Sequence, residues 1–284
     1  MHAVHEFNVA SGWCDSDTQA ESLESSLRRT KRTIRELAAC NQWDLFVTLT
    51  LAPGKWNRMD PLGIQAYIKE QAKKWRRKGC DYAYLFVPEA HKDGAVHLHG
   101  LVRGTPVEYL QAYTMDDVNS MPLPVAIVDT VNAGEDIYHC TIWDAEVGYN
   151  TLTPVRDLAK TASYITKYIT KDLGSLPVKS RLWHSRGLQK AERLGVYQIP
   201  DNGVDNALQF LKAAASTTAK GIPLYTEYRD LPANNSTGRF RSASAFVDKK
   251  DMDREVILEY LNDNYERIGG EGELYEFGKE QAEF

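Results

Sequence analysis

The stretch YAYLFVPEAHKDGAVHLHGLV, residues 82–102, decides the fold. Two short apolar runs, 82–88 and 95–102, flank a polar His-Lys-Asp-Gly segment, the usual punctuation of a β-hairpin. They are predicted to pair as adjacent antiparallel strands. On the second run His97 and His99 alternate, so both imidazoles project from one face, about 6–7 Å apart along the strand axis. Glu89 ends the first run and is placed to offer a carboxylate to the same point, with His91 in the turn as a weaker candidate. Two imidazoles and a carboxylate with open positions suit a catalytic divalent ion, magnesium or manganese.

Working outward, DLFVTLTLAP (44–53) alternates and runs into Pro-Gly, which reads as a strand entering a turn. Thr48 and Thr50 share one face of it, and the sequence does not say which side of the sheet that face looks to. Pro61, followed by Ile64, Tyr67, Ile68, Ala72 and Trp75, gives an amphipathic helix closed by Gly79. Thr18 and Glu21 have capping-box spacing ahead of a helical period, so residues 18–40 read as a helix. Residues 106–113 are read as helical, IYHCTIW (137–143) as a strand, and DLAKTASYITKYITKDL (157–173) as a helix stopped by Gly174. This order predicts an α+β domain, a single antiparallel sheet with helices mainly on one face. From about residue 200 the pattern changes to a helix near 204–219, a strand at 222–228 and an acidic helix near 251–267. The expected organisation is a helical extension over 1–43, the sheet domain over 44–200, and a smaller, mostly helical accessory region with an acidic tail over 201–284.

The 157–173 helix carries a second constellation. Tyr164 and Tyr168 are four residues apart and share one helical face, and Lys167 lies in the same neighbourhood. A phenol with a pKa near 10 is a poor nucleophile at neutral pH. Beside a divalent ion and an ammonium group it becomes a useful one, because positive charge stabilises both phenolate and a pentacovalent phosphate.

The net charge of −5 gives no simple sign of a polyanionic partner, but its distribution does. Residues 248–284 hold 12 acidic and 5 basic groups, whereas residues 155–193 hold 9 basic and 3 acidic. Lys160, Lys171, Arg181 and Arg186 fall in that basic segment and are the candidate DNA contacts. Two further basic blocks lie at Arg28, Arg29, Lys31, Arg32, Arg35 and at Lys73, Lys74, Arg76, Arg77, Lys78. The four cysteines form no CxxC pair and suggest neither a zinc ribbon nor a disulfide framework. With no run of about 18 apolar residues, the expectation is a soluble cytoplasmic protein with no membrane partner.

At these residues the chain resembles the HUH endonucleases of rolling-circle Rep type, named for histidine, hydrophobic, histidine. FVTLTL (46–51) is similar to the family's first motif, VPEAHKDGAVHLHGLV (87–102) to its metal-binding second motif, and YITKYITK (164–171) to the two-tyrosine third motif of phage-type initiators. RLWHSRGLQKAE (181–192) is similar to a basic segment that follows that motif. The resemblance implies His97, His99 and Glu89 as ligands of Mg²⁺ or Mn²⁺, Tyr164 and Tyr168 as nucleophiles, and Lys167 between them as a charge stabiliser. It further implies an origin-specific nick in single-stranded DNA, a 5′-phosphotyrosyl intermediate and a strand-rejoining step. Nothing resembles a Walker A loop, so unwinding and synthesis are expected from a host helicase and polymerase. A relaxase or transposase would use the same chemistry; a repressor on this fold would not need the two histidines and two tyrosines together.

Overall fold

Why the strand register comes out as it does is visible in β2, where burial alternates along Leu45–Thr50 and Leu45, Val47 and Leu49 point into a core. The computed structural model describes residues 4–11, 19–90, 93, 95–171, 181–198, 225–232, 239–248, 254–264 and 266–269. They fall into two compact units, one of residues 30–38 and 42–188, the other of residues 1–29, 39–41 and 189–284. Ahead of β2 lie β1 (Val4–Ser11) and α1 (Gln19–Cys40). After it come α2 (Pro61–Arg77), β3 (Ala83–Ala90), β4 (Val96–Arg103) and β5 (Leu110–Ala112). Then follow α3 (Met115–Ser120), α4 (Val125–Asn132), β6 (Tyr138–Cys140), α5 (Thr141–Glu146) and β7 (Asn150–Pro154). Helix α6 (Leu158–Lys171) and the short β8 (Trp183–His184) complete the sheet unit.

That unit holds one seven-stranded sheet in the order β5-β6-β7-β2-β4-β3-β8, and every pairing in it is antiparallel. The 82–102 hairpin forms as expected, with Phe86 opposite Gly100 and Glu89 opposite His97. One face of the sheet is apolar: Val47, Leu49, Phe86, Leu98 and Leu152 pack against Ile64, Ile68, Ala72 and Trp75 of α2 and Trp143 of α5. Each large side chain buried there contributes on the order of 1.5–3 kcal/mol. Helix α2 starts where Pro61 predicts, its N-terminal amides of Leu62 and Gly63 satisfied by the Asp60 carboxylate at 3.0 and 3.1 Å. Helix α6 lies on the other face, against β3 and β4, burying Ala162 and Ile165.

Between β6 and β7 a buried amide replaces apolar contact. Asn150, fully buried, accepts from the Cys140 amide at 2.7 Å and donates to Asp144 at 2.8 Å, and Asp144 in turn bonds His139. The same burial pushes the Cys140 thiol up to about 11.

Three local expectations are corrected. Residues 107–109 form a single 3₁₀ turn before β5, because Pro106 fixes the entry and only one turn follows. The strand read over 137–143 is cut to Tyr138–Cys140, with α5 taking over at Thr141. In the second unit, β1 pairs with β9 (Glu192–Gln198) and with β11 (Arg239–Asp248), which pairs with β10 (Tyr225–Pro232); β9 also pairs with β12 (Glu266–Gly269). Its described residues therefore build a five-stranded sheet with one C-terminal helix, α7 (Arg254–Asn264), where a mostly helical region was expected. Long-range pairing with a strand at the other end of the chain is invisible to local periodicity. The helix read over 204–219 lies outside the described residues.

Gly100 is the tightest point of the site-bearing sheet. A Cβ there would sit 2.1 Å from the Leu85 carbonyl oxygen and 2.9 Å from Phe86 Cα, both backbone atoms of β3. Gly100→Ala is expected to cost about 2–4 kcal/mol, read as a lowered urea midpoint. An unchanged midpoint would mean that the strands have slack the close approach denies.

Candidate active site

The face opposite the apolar core is chemical. Because side chains alternate, Phe46, Thr48 and Thr50 of β2, His97 and His99 of β4, Glu89 of β3 and Thr153 of β7 all belong to it. The ladder register sets His99 directly across from Thr48 and His97 directly across from Thr50. Both hydroxyls face the Nδ1 atoms of their partners, at 3.2 Å for Thr48 to His99 and 3.4 Å for Thr50 to His97. On its other nitrogen, His99 Nε2 lies 2.9 Å from Glu89 Oε2, in a setting where His99 is only 7% exposed.

This arrangement bears on a metal. Two ligands at about 2.1 Å from an octahedral ion stand about 3 Å apart when they are neighbours, which is the separation of the His99 and Glu89 atoms. The donor types, imidazole nitrogen and carboxylate oxygen, also suit Mn²⁺ or Mg²⁺. Among the described residues no group of three or more His, Cys, Asp or Glu side chains is arranged to hold an ion. The His99 and Glu89 pair thus fits one edge of a coordination sphere, with His97 beside it on the same strand face. His91, the weaker candidate, lies outside the described residues.

The threonines are the site residues whose role sequence reasoning left open. A hydroxyl both donates and accepts, so Thr48 can meet either tautomer of His99. When His99 Nε2–H donates to Glu89, Nδ1 accepts from Thr48; when Nδ1–H donates to Thr48, Nε2 is left bare as a ligand. The legible signal was the alternation of Thr48 and Thr50; the missing information was which strand lay next to β2.

Tyr164 of α6 reaches this face through aromatic contacts. Its ring meets Phe46 edge-on with centroids 5.6 Å apart, and Phe46 stacks on His99 at 6.4 Å and 15°. Tyr164 is 45% exposed, unlike Tyr82, Tyr84, Tyr67, Tyr113 and Tyr149, whose burial raises their phenol pKa and disfavours phenolate. An open groove of about 630 Å³ runs beside it, lined by Phe46, Thr153, Pro154, Lys160, Thr161 and Ser163. The backbones of Lys167, Tyr168 and Lys171 belong to α6, and their side chains lie outside the described residues.

Of the candidate DNA contacts, Lys160 stands on the rim of that groove, paired with Asp157 at 3.3 Å on the solvent side. Arg181 is half-buried and Arg186 exposed, on either side of the edge strand β8. No helix among the described residues is long and apolar enough to cross a membrane.

Residues 44–173 match the family model for replication-associated proteins of the ORF2 class, a span that runs from the residue before β2 to just past α6. The match supports a replication-associated protein of rolling-circle Rep type. Neither the curated proteins nor the solved structures contain a match to the chain.

Thr48→Val keeps the shape and removes the hydroxyl, leaving buried His99 Nδ1 without its partner. It is expected to destabilise by about 1–3 kcal/mol in urea. The ¹⁵N shifts of the His99 ring should move towards a different tautomer balance. Unchanged stability together with unchanged ring shifts would remove Thr48 from the site.

Proposed function

We propose that this chain is a rolling-circle replication initiator of HUH type that nicks single-stranded origin DNA by tyrosine attack and remains linked to the 5′ end. The observation that carries this reading is the ring sequence Tyr164, Phe46, His99, which brings the exposed phenol of α6 to the face that bears the histidines. The match to replication-associated proteins over residues 44–173 supports the same class of reaction.

In this reading His97, His99 and Glu89 hold the divalent ion, with Thr48 and Thr50 fixing the imidazoles from behind, as second-sphere partners do. Bound there, Mg²⁺ or Mn²⁺ would polarise the non-bridging oxygens of the scissile phosphate. The chain's own task is placement. At neutral pH a phenol with a pKa near 10 is ionised in only about one molecule per thousand, so the nucleophile gains from positive charge nearby. Lys167 supplies it in this scheme. The phenolic proton is released to solvent, the tyrosyl oxygen forms a bond to phosphorus, the P–O3′ bond breaks and the 3′ oxygen leaves as a hydroxyl. Because one phosphoester replaces another, the step reverses without ATP. The groove beside Tyr164, with Lys160 on its rim, offers the strand a bed next to the phenol. Two tyrosines allow one cut at the start of a round and another at its end. Unwinding and synthesis then fall to a host helicase and polymerase in the cytoplasm.

The experiment is incubation with a labelled pool of randomised single-stranded oligonucleotides and manganese, followed by denaturing electrophoresis. A covalent adduct is expected with the native chain, lost on chelation. The Tyr164→Phe, Tyr168→Phe double variant should lower the rate of its formation at least about a thousandfold. A double variant that forms the adduct at the native rate overturns the nucleophile assignment. A native chain that binds the strands and forms no adduct leaves a binding protein instead.

A further inference from the structure

On the side of the sheet away from the histidines, a pocket of about 270 Å³ opens at the C-terminal end of α2. Lys74, Arg77 and Lys78 line it with Gln71, and Tyr109 and Glu146 close it. Gln71 is only 4% exposed, yet its amide has no hydrogen-bond partner among the described residues. Trp75, in the same wall, has a buried indole N–H that is also without an acceptor. Buried donors without partners cost free energy, on the order of 1–3 kcal/mol each, and call for an explanation.

The charges alone have a simple one, since basic residues in a last helical turn offset the helix dipole. That does not account for the amide. The carboxylate in the wall is already engaged, with Tyr67 donating to Glu146 at 2.7 Å, and Lys78 is tied to the Tyr109 hydroxyl at 3.2 Å. Lys74 has no ion-pair partner among the described residues, and Arg77 has only a loose one, Glu70 at 3.9 Å. The concavity therefore presents cations and buried N–H groups to whatever enters. An anion with several acceptor oxygens satisfies that set.

We propose that this pocket is a second phosphate-binding site, which holds a backbone phosphate of the double-stranded DNA next to the nick. The identity of the ligand rests on the DNA-processing reading above. Duplex is favoured over single strand because single-strand sites offer exposed rings for base stacking. Here Trp75 is 1% exposed and Lys78 lies over the Tyr109 ring, 5.7 Å from its centroid, so the pocket reads phosphate and not bases.

The test is binding of a short fluorescent duplex of arbitrary sequence across a range of salt. Lys74→Ala with Arg77→Ala should weaken binding about tenfold or more, and flatten the slope of log affinity on log salt by about two. Gln71→Leu removes no charge and is expected to keep or raise Tm while weakening binding about threefold to tenfold, the value of one hydrogen bond to a charged group. A purely structural glutamine would not split the two readouts in that way. Lys69→Ala with Lys73→Ala, the same charge removed from the same helix outside the pocket, should cost less than about threefold. The proposal is overturned if that control loses as much as the pocket pair, or if Gln71→Leu binds duplex like the native chain. It is equally overturned if polyglutamate occupies the pocket in preference to duplex. Adduct formation on short single strands should be unaffected in the pocket variants. Failure of the native chain to form any adduct would sink the initiator reading and leave the duplex measurements to decide the pocket.

Discussion

Everything at the candidate site depends on the antiparallel register of three strands, β3, β4 and β2. A one-residue slip in such a ladder turns every side chain to the opposite face. With the observed register, Glu89, His97 and His99 share a face with Thr48 and Thr50, while Val47, Leu49, Phe86 and Leu98 go to the core. The polar face is thus held by apolar burial on its reverse side. Gly100 reinforces the constraint, since only a residue without Cβ lets β4 approach β3 that closely beside His99.

The two faces divide the labour. On the core face α2 and α5 close over aromatic and aliphatic side chains, with Trp75, Trp143 and Phe86 fully buried. On the other, α6 covers β3 and β4 with Ala162 and Ile165 and leaves Tyr164 half in solvent. A helix that buries one stripe and exposes a reactive residue at its margin can present that residue rigidly without desolvating it. Phe46 fills the space between Tyr164 and His99 and sets their separation. It stands next to Val47 in a strand whose alternation sends the two to opposite faces.

Much of this was legible in the chain itself. Strong local signals, the alternation of 44–53, the 82–102 hairpin and the Pro61 start, correspond to β2, β3, β4 and α2 with boundaries close to those read. The site residues were legible for the same reason, since His97 and His99 lie within one strand and Tyr164 within one helix. What escaped was non-local. Strand β7 carries a weak pattern and is held by pairing to β2 and by Asn150. Strand β1 exists through partners near residues 192 and 245. The threonine contacts needed the identity of the neighbouring strand, which periodicity does not contain.

The central claim is that the imidazoles of the sheet and the phenol of α6 meet at one ion. Paramagnetic broadening by Mn²⁺, followed on ring-labelled histidine and tyrosine, measures that directly. The account expects the His97, His99 and Tyr164 ring signals to broaden together at one equivalent of Mn²⁺, and to recover together on chelation. Broadening of the histidines while Tyr164 stays sharp, or no saturable effect on either, would contradict it.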